Sequence, residues 1–235
     1  MLWLDEQYPP HFPPLHFCTE DGLLAAGGSL DKNWLLAAYQ SGLFPWSMPG
    51  EPILWWSPDP RSVIFPDEFH VSRSFKRFLK KSRWTVKISS NFQEVIHQCA
   101  ATRGGPENTW LNAEMQERYL DLHKSGWAQS FEVWDEDSLV GGVYGPVISP
   151  VYCGESMFSL QSNGSKVALW AASKLLPALG CTIIDTQLPN PHLEQLGCSL
   201  ISRDSYLKHL KKADFNQPSP WPKDFEVSVA QLLKS

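Results

Sequence analysis

The strongest constraint in the 235-residue sequence is the order in which its hydrophobic period changes between residues 71 and 212. Residues 71–81 read as a helix, because Val71, Phe75, Phe78 and Leu79 fall on one face at helical spacing. Residues 84–89 alternate as a strand does. Asn91 with Glu94 makes an asparagine form of the capping box ahead of a helix to about residue 101, and Asn112 caps a second helix ending near Gly126. Three strands follow, at 128–134, 139–148 and 151–158, with an acidic turn over 135–137. A long helix spans 165–179 and is closed by Gly180, with Pro177 expected to fray or bend its last turn. The series ends with a strand at 182–187, a short helix at 192–196, a strand at 199–202 and a helix at 205–212. In the tail from Asp214 to Ser235, the Pro-Ser-Pro-Trp-Pro run is extended and the final residues suit a short helix.

The residues ahead of this series differ in kind. Their main helical signal is 30–41, with Ser29 or Asp31 as cap and Gly42 just beyond. Five Pro and three Trp between Phe44 and Pro60 predict loop and turn. The expected organisation is a small N-terminal domain over 1–60 and a larger one over 61–235. With 43% hydrophobic and 19% charged residues the chain can bury a core, which excludes a disordered protein. No apolar run reaches the roughly 18 residues of a membrane span, and the early acids Asp5 and Glu6 do not suit a signal peptide. Five scattered cysteines (18, 99, 153, 181 and 198) form no CxxC, which suits reduced thiols in a cytoplasm.

The element order β-α-α-β-β-β-α-β-α-β is similar to that of the acetyltransferase-like (GNAT) folds, so the expected fold class is α+β with a mixed, mostly antiparallel sheet. In those folds a Q/R-x-x-G-x-G/A loop ahead of the long helix holds the coenzyme A pyrophosphate. Here the matching place reads Gln161-Ser162-Asn163-Gly164-Ser165-Lys166, and Lys166 crowds the approach that a glycine permits. A coenzyme A-dependent N-acyltransferase is therefore the second reading.

The net charge of −5 hides an uneven distribution. Residues 1–69 carry nine acids and two bases, whereas residues 70–90 carry seven bases and no acid. On the predicted helix, Arg73, Lys76, Arg77, Lys80 and Lys81 share one broad face. That face suits a nucleic-acid backbone, or is a solvated surface. Trp46 and Trp110 stand in loop-like contexts, where an indole stacks a nucleobase or folds onto the core. Gly141, Gly142 and Gly145 interrupt a strand, marking a bulge or the close approach of a ligand. Glu155 and Asp185 fall where strands are expected, and period two puts Asp185 and Gln187 on one face. A carboxylate beside an amide can bind a cation and handle a proton, or it can be an ordinary hydrogen-bonded pair. The seven His show no metal-ligand spacing, and no phosphate-binding loop or nucleophile motif is present.

Several ordered motifs between about residues 20 and 212 resemble the bacterial leucyl/phenylalanyl-tRNA–protein transferases. They are Phe44-Pro45-Trp46, Trp55-Trp56-Ser57-Pro58-Asp59-Pro60-Arg61, His70-Val71-Ser72-Arg73-Ser74, Thr109-Trp110, Gly141-Gly142-Val143-Tyr144-Gly145, Gly154-Glu155-Ser156-Met157-Phe158-Ser159 and Ile184-Asp185-Thr186-Gln187. The resemblance implies a small N-terminal domain on a GNAT-like domain. It implies transfer of Leu or Phe from aminoacyl-tRNA to proteins beginning with Arg or Lys, marking them for N-end rule degradation; a hydrophobic pocket separates side chains by only roughly 1–3 kcal/mol per methylene, so leakage to Met is expected as well. By position, Trp46 and Trp110 hold the terminal adenosine. Glu155, Asp185 and Gln187 line the reaction centre, and Arg73, Lys76, Arg77, Lys80 and Lys81 hold the acceptor stem. Asp185, directly or through Gln187, is the expected proton acceptor, and Glu155 with Asp185 is expected to grip the acceptor's cation. Val143, Tyr152, Met157, Leu169, Leu176 and Ile184 are the expected walls of the amino-acid pocket. The expected partners are Leu-tRNA, Phe-tRNA and the acceptor protein, with no membrane, no metal and no cofactor, and the chain is expected to be monomeric. A third reading is a tRNA-binding module without catalysis, which would leave Glu155, Asp185 and Gln187 without a role.

Overall fold

The structure is a computed structural model that describes residues 2–105, 107–211 and 217–234; expectations touching Lys212, residues 214–216 and Ser235 lie outside them. The Pro- and Trp-rich front of the chain is built as a sheet. Strands β1 (Leu2–Leu4), β2 (Leu23–Gly27), β3 (Phe44–Pro45) and β4 (Leu54–Trp56) pair in the order β1-β2-β4-β3, with helix α1 (Lys32–Gln40) between β2 and β3 in the chain. Pro45 is tolerated because β3 is an edge strand and needs no second partner. Asp31 caps α1 by accepting from Asn33 N at 2.8 Å and Trp34 N at 3.1 Å, a contribution of about 1 kcal/mol. Trp55 is fully buried, and its indole donates to the Gly27 carbonyl at 2.8 Å. Its desolvated N–H therefore has a partner.

From residue 71 the predicted series is present. Ahead of it stands β5 (Arg61–Ile64), which the sequence pattern does not reveal. Then come α2 (Arg73–Lys81), β6 (Thr85–Ile88), α3 (Phe92–Ala101), α4 (Ala113–Lys124), β7 (Ala128–Asp135) and β8 (Ser138–Ile148). The third predicted strand is two strands, β9 (Val151–Cys153) and β10 (Ser156–Ser159), separated by Gly154 and Glu155. After them run α5 (Gly164–Leu175), β11 (Ile183–Gln187), α6 (Pro191–Glu194), β12 (Ser199–Ile201) and α7 (Arg203–Leu210). At Pro177 the end of the long helix tightens rather than frays, into a 3-10 turn over Leu176–Leu179 that Gly180 closes at φ 84°. The tail holds the expected short helix α8 (Val229–Leu232), preceded by a strand, β13 (Glu226–Ser228). The capping box at α3 is half formed. Asn91 accepts from Glu94 N at 3.3 Å, but its own N–H goes to Glu132 at 2.8 Å, and Glu94 accepts instead from Gln98.

The larger sheet runs β12-β5-β11-β9-β8-β7-β6-β13, with β10 also on β8. Within it β9 and β11 pair in parallel and the other pairs are antiparallel, the mixed sheet of an α+β fold. Phe92, Met115 and Tyr119 from α3 and α4 share one core with Trp34 and Trp55 of the front segment, while Phe75, Leu169 and Val229 from α2, α5 and α8 belong to a second core. The strand glycines allow close backbone approach. A Cβ on Gly141 would lie 2.3 Å from the Gly164 carbonyl carbon, and one on Gly145 would lie 1.6 Å from the Cys153 carbonyl oxygen. They admit the protein's own backbone, and Gly141 also flanks a bulge: Val133 pairs with Gly141 and Trp134 with Leu139, which leaves Val140 as the extra residue of β8. Among the described residues no helix is long and apolar enough to cross a membrane.

Candidate active site

Because β9 and β11 are parallel, both end on the same side. There the chain leaves β9 through Gly154 and Glu155 to pair β10 with β8 instead. Ends of parallel strands that separate in this way leave a crevice. The crevice has a volume of about 190 Å³ and is lined by Trp46, Trp110, Val143, Glu155, Met157, Leu169 and Gln187, all predicted from sequence, together with Phe44, Arg103, Thr186, Asn190 and others. For scale, an engineered apolar cavity of ~150 Å³ holds benzene. A single apolar side chain is thus the right size of occupant. Trp46 is 41% exposed at the mouth. Trp110 packs edge-on against Tyr119, with centroids 6.4 Å apart.

Glu155 forms the polar floor. It lies in the break between strands rather than at the centre of one, and is 8% exposed. Tyr119 donates to Oε2 at 3.0 Å, the Tyr39 and Tyr119 hydroxyls meet at 2.8 Å, and the Gln187 side-chain amide donates to Oε1 at 2.7 Å. Burial pushes the Glu155 carboxyl up to about 8, against the pull of hydrogen bonds from Tyr39 and Tyr119; the charge of Asp185 adds to the rise and that of Arg61 opposes it. Burial also holds the Tyr39 and Tyr119 hydroxyls well above their ordinary range, so they remain donors at neutral pH.

Gln187 reaches Glu155 through an irregular backbone. The register of β11 against β5 shifts between Asp185 and Gln187. Gln187 has φ 60°, and Leu188 N donates to the Thr186 carbonyl at 2.7 Å. This is a γ-turn around a non-glycine residue, a conformation that costs roughly 1–3 kcal/mol unless its surroundings impose it. The surroundings are Asp185, whose Oδ1 accepts from Gln187 N at 2.9 Å.

Asp185 does not line the crevice. It is fully buried and takes four donors: Arg61 Nε at 2.9 Å and Gln187 N on Oδ1, and Arg61 Nη2 at 2.7 Å and Tyr206 Oη at 2.8 Å on Oδ2. Those four bonds fill the lone-pair sites of a carboxylate. Arg61, 1% exposed, also donates to the Gly42 carbonyl at 3.3 Å and lies between the rings of Phe44 and Tyr206, at 4.7 and 4.6 Å. Two expectations are thereby corrected. Asp185 has neither access nor free lone pairs with which to take a proton from a substrate, and the cation it faces is the protein's own Arg61. Sequence reasoning missed Arg61 as a site residue because a charge opening a short strand reads as exposed.

Three predicted pocket residues are also displaced. Tyr152 and Ile184 are register partners across β9 and β11, each one residue before the last pair, Cys153 and Asp185, and both are fully buried in the second core. Leu176 is seven residues along from Leu169, about 10 Å further down the helix, and is likewise sealed. Arg103 was not anticipated. It is exposed at the crevice, where its Nε donates to Ser156 at 3.1 Å. Arg73, Lys76, Arg77, Lys80 and Lys81 are exposed on α2, and none enters an ion pair among the described residues. The cradle that a pyrophosphate would need at α5 is filled from within: Ser165 N donates to Ser159 Oγ at 2.7 Å, Gly164 N to the Gln161 carbonyl at 2.9 Å, and Gly164 itself abuts Val140 and Gly141.

Known proteins resemble this chain over most of its length. Residues 63–211 match the sequence profile of the leucyl/phenylalanyl-tRNA protein transferases, and residues 28–59 that of their N-terminal domain. A leucyl/phenylalanyl-tRNA–protein transferase of Shewanella piezotolerans is 47% identical over 89% of this chain and 91% of its own length. Proteins of the same name from Hydrogenovibrio crunogenus, 48% identical over 94% and 88%, and Pseudomonas fluorescens, 47% identical over 89% and 94%, are similar throughout. The chain belongs to the leucyl/phenylalanyl-tRNA–protein transferase family of aminoacyltransferases.

Proposed function

We propose that this protein moves Leu or Phe, and more weakly Met, from aminoacyl-tRNA to the N-terminal amine of proteins beginning with Arg or Lys, in the cytoplasm. The observation that carries the reading is the junction of a crevice of one side chain's size, in part walled by Val143, Met157 and Leu169, two indoles at its edge, and the Glu155–Gln187 pair at its floor. Val143, Met157 and Leu169 would receive the transferred side chain. Trp46 and Trp110 would hold the terminal adenosine, and Arg103 beside them suits its phosphate. Discrimination by such a pocket amounts to roughly 1–3 kcal/mol per methylene, so leakage to Met is expected.

The reaction exchanges an ester for an amide and needs placement and a proton relay. The acceptor amine, with a reference pKa of about 7.7–8.0, attacks in its neutral form. The C–N bond forms and the nitrogen's proton passes to the Glu155 carboxylate. The intermediate then collapses, the ester C–O bond breaks, and Glu155 returns the proton to the ribose oxygen. A carboxyl raised by burial is matched to an amine of this pKa, which favours Glu155 as shuttle. Gln187 Oε1 makes no hydrogen bond within the protein among the described residues and is available to orient the amine. Asp185 and Arg61 act at one remove, by imposing the turn at Gln187. With Asp185 neutralised, the acceptor's cation has a better partner in Asp21. That acid lines an adjoining cleft with Phe44, Trp46, Trp56, Pro58 and Leu188.

The test is to mix the protein with labelled Leu-tRNA and a peptide beginning with Arg, beside an N-acetylated copy. Label should appear on the free peptide alone. Binding of Leu-tRNA without transfer would favour a non-catalytic tRNA module, and transfer from acetyl-CoA would favour the N-acyltransferase reading.

A further inference from the structure

A second cleft, of about 700 Å³, lies beside the reaction crevice and is lined by His70, Ser72, Phe75, Lys166, Glu194 and Leu196 among others. Three elements define where it is. Helix α2 contributes Phe75 and carries the exposed cations on its outer surface. Helix α6 is shared: Leu193 lines the reaction crevice while Glu194 lines the second cleft. Helix α5 is shared likewise, since Leu169 lines the crevice and Lys166, three residues earlier, lines the cleft. Residues three apart share a helix face, separated by about 4.5 Å along the axis. The second cleft is therefore the ground between the basic helix and the reaction crevice.

Lys166 is the lysine of this cleft. It is half-buried, its Nζ sits 5.5 Å from the centroid of the Phe75 ring, and no ion pair among the described residues includes it. The same charge reaches His192 at the start of α6, where burial and then Lys166 lower the imidazole's basicity. Glu68 and Glu194 are exposed acids that bring the formal charge of the lining to −1, so an anion can be held only at the half-buried Lys166, away from the two solvent-screened acids, which admits one phosphate rather than several.

We propose that this cleft holds a backbone phosphate of the unpaired 3′ end of aminoacyl-tRNA, with Lys166 as the cation that binds it; the proposal rests on the transfer reading above. A duplex acceptor stem lying on α2 must be joined to an adenosine at the mouth of the crevice by single-stranded nucleotides, and the cleft is where that strand crosses. The lysine that departs from the coenzyme A pattern thereby acquires a role.

The experiment compares three donors: 3′-leucyl-adenosine, which has no phosphate; the leucyl-trinucleotide CCA; and whole Leu-tRNA. Wild type should prefer the trinucleotide to the adenosine. Lys166→Met keeps the stem against Phe75 but removes the charge. It should bring the two short donors together in kcat/KM and lessen the salt slope for the trinucleotide by about 0.7, the value for one single-strand phosphate. Lys166→Arg should restore the preference. Lys80→Ala with Lys81→Ala should weaken whole Leu-tRNA while leaving the ratio of the short donors as in wild type. An unchanged ratio in Lys166→Met, or an equal loss with both short donors, overturns the proposal. Absence of transfer by wild type from every donor would instead overturn the reading on which it rests.

Discussion

Arg61→Leu should be the most damaging single substitution outside the crevice. Arg61 is 1% exposed and Asp185 fully buried, joined through two bonds of 2.7 and 2.9 Å. The substitution removes both, the bond to the Gly42 carbonyl and the two ring contacts, and leaves the carboxylate with Tyr206 Oη and Gln187 N alone. Breaking a buried pair by deleting one partner costs roughly 3–5 kcal/mol, because the remaining charge is uncompensated. In a chain of this size each kcal/mol corresponds to about 2–4 °C, so Tm should fall by about 6–20 °C. Urea unfolding followed by tryptophan fluorescence measures the same loss. Arg61→Leu combined with Asp185→Leu removes both charges and should recover most of the stability, since apolar replacement of a whole buried pair is often neutral. Transfer should stay low in the double variant, because Gln187 N has lost the acceptor that fixes its turn. A single variant within about 1 kcal/mol of wild type, or a double variant with full turnover, would refute the assignment of Arg61 and Asp185 as positioning residues.

Trp110→Ala should weaken binding of an aminoacyl-adenosine by about 1–3 kcal/mol, measured by calorimetry; unchanged affinity would make that indole a core residue. Neutralising Lys80 and Lys81 should raise KM for Leu-tRNA and reduce the salt slope by about 0.9 per duplex phosphate lost. Val143→Met narrows the crevice and should lower the use of Phe relative to Leu by about tenfold in competition assays. Glu155→Gln should gain stability relative to wild type as pH rises. The raised Glu155 carboxyl stabilises the fold fully below its unfolded pKa, and that contribution is lost as pH climbs through about 8. Melting curves at acidic and alkaline pH measure the difference.

The helices and most strands of the larger sheet were legible because local chemistry marks them. Asp31 and Asn112 cap where expected, Gly180 closes where expected, and the apolar spacing of Phe75 and Leu79 places the basic face of α2 outward. What was not legible depends on partners distant in sequence. Strand β3 is two residues long and pairs only with β4, so no period could announce it. Strand β5 opens with an arginine, and that arginine is buried only because Asp185, 124 residues later, neutralises it. Glu155 and Gln187 were legible as candidates because acids are depleted in strands and Gln187 falls two residues after one, and both line the crevice. Their division of labour from Asp185 was not, because a γ-turn at Gln187 breaks the alternation that would have put Asp185 and Gln187 on one face. Tyr152 and Ile184 look like pocket walls from sequence, but lie just short of where β9 and β11 separate.

The claim that Glu155 carries the proton is tested most directly by the pH dependence of single-turnover transfer to a peptide amine, in wild type and in Glu155→Gln. Both the carboxyl, raised to about 8, and the amine must be deprotonated. Below the pKa of each, the logarithm of the wild-type rate should therefore rise with pH at a slope of about two, and that of Glu155→Gln at about one, from a rate lower by roughly 10²–10⁴. Superimposable profiles, with similar rates and a slope of about one in both proteins, would contradict the account.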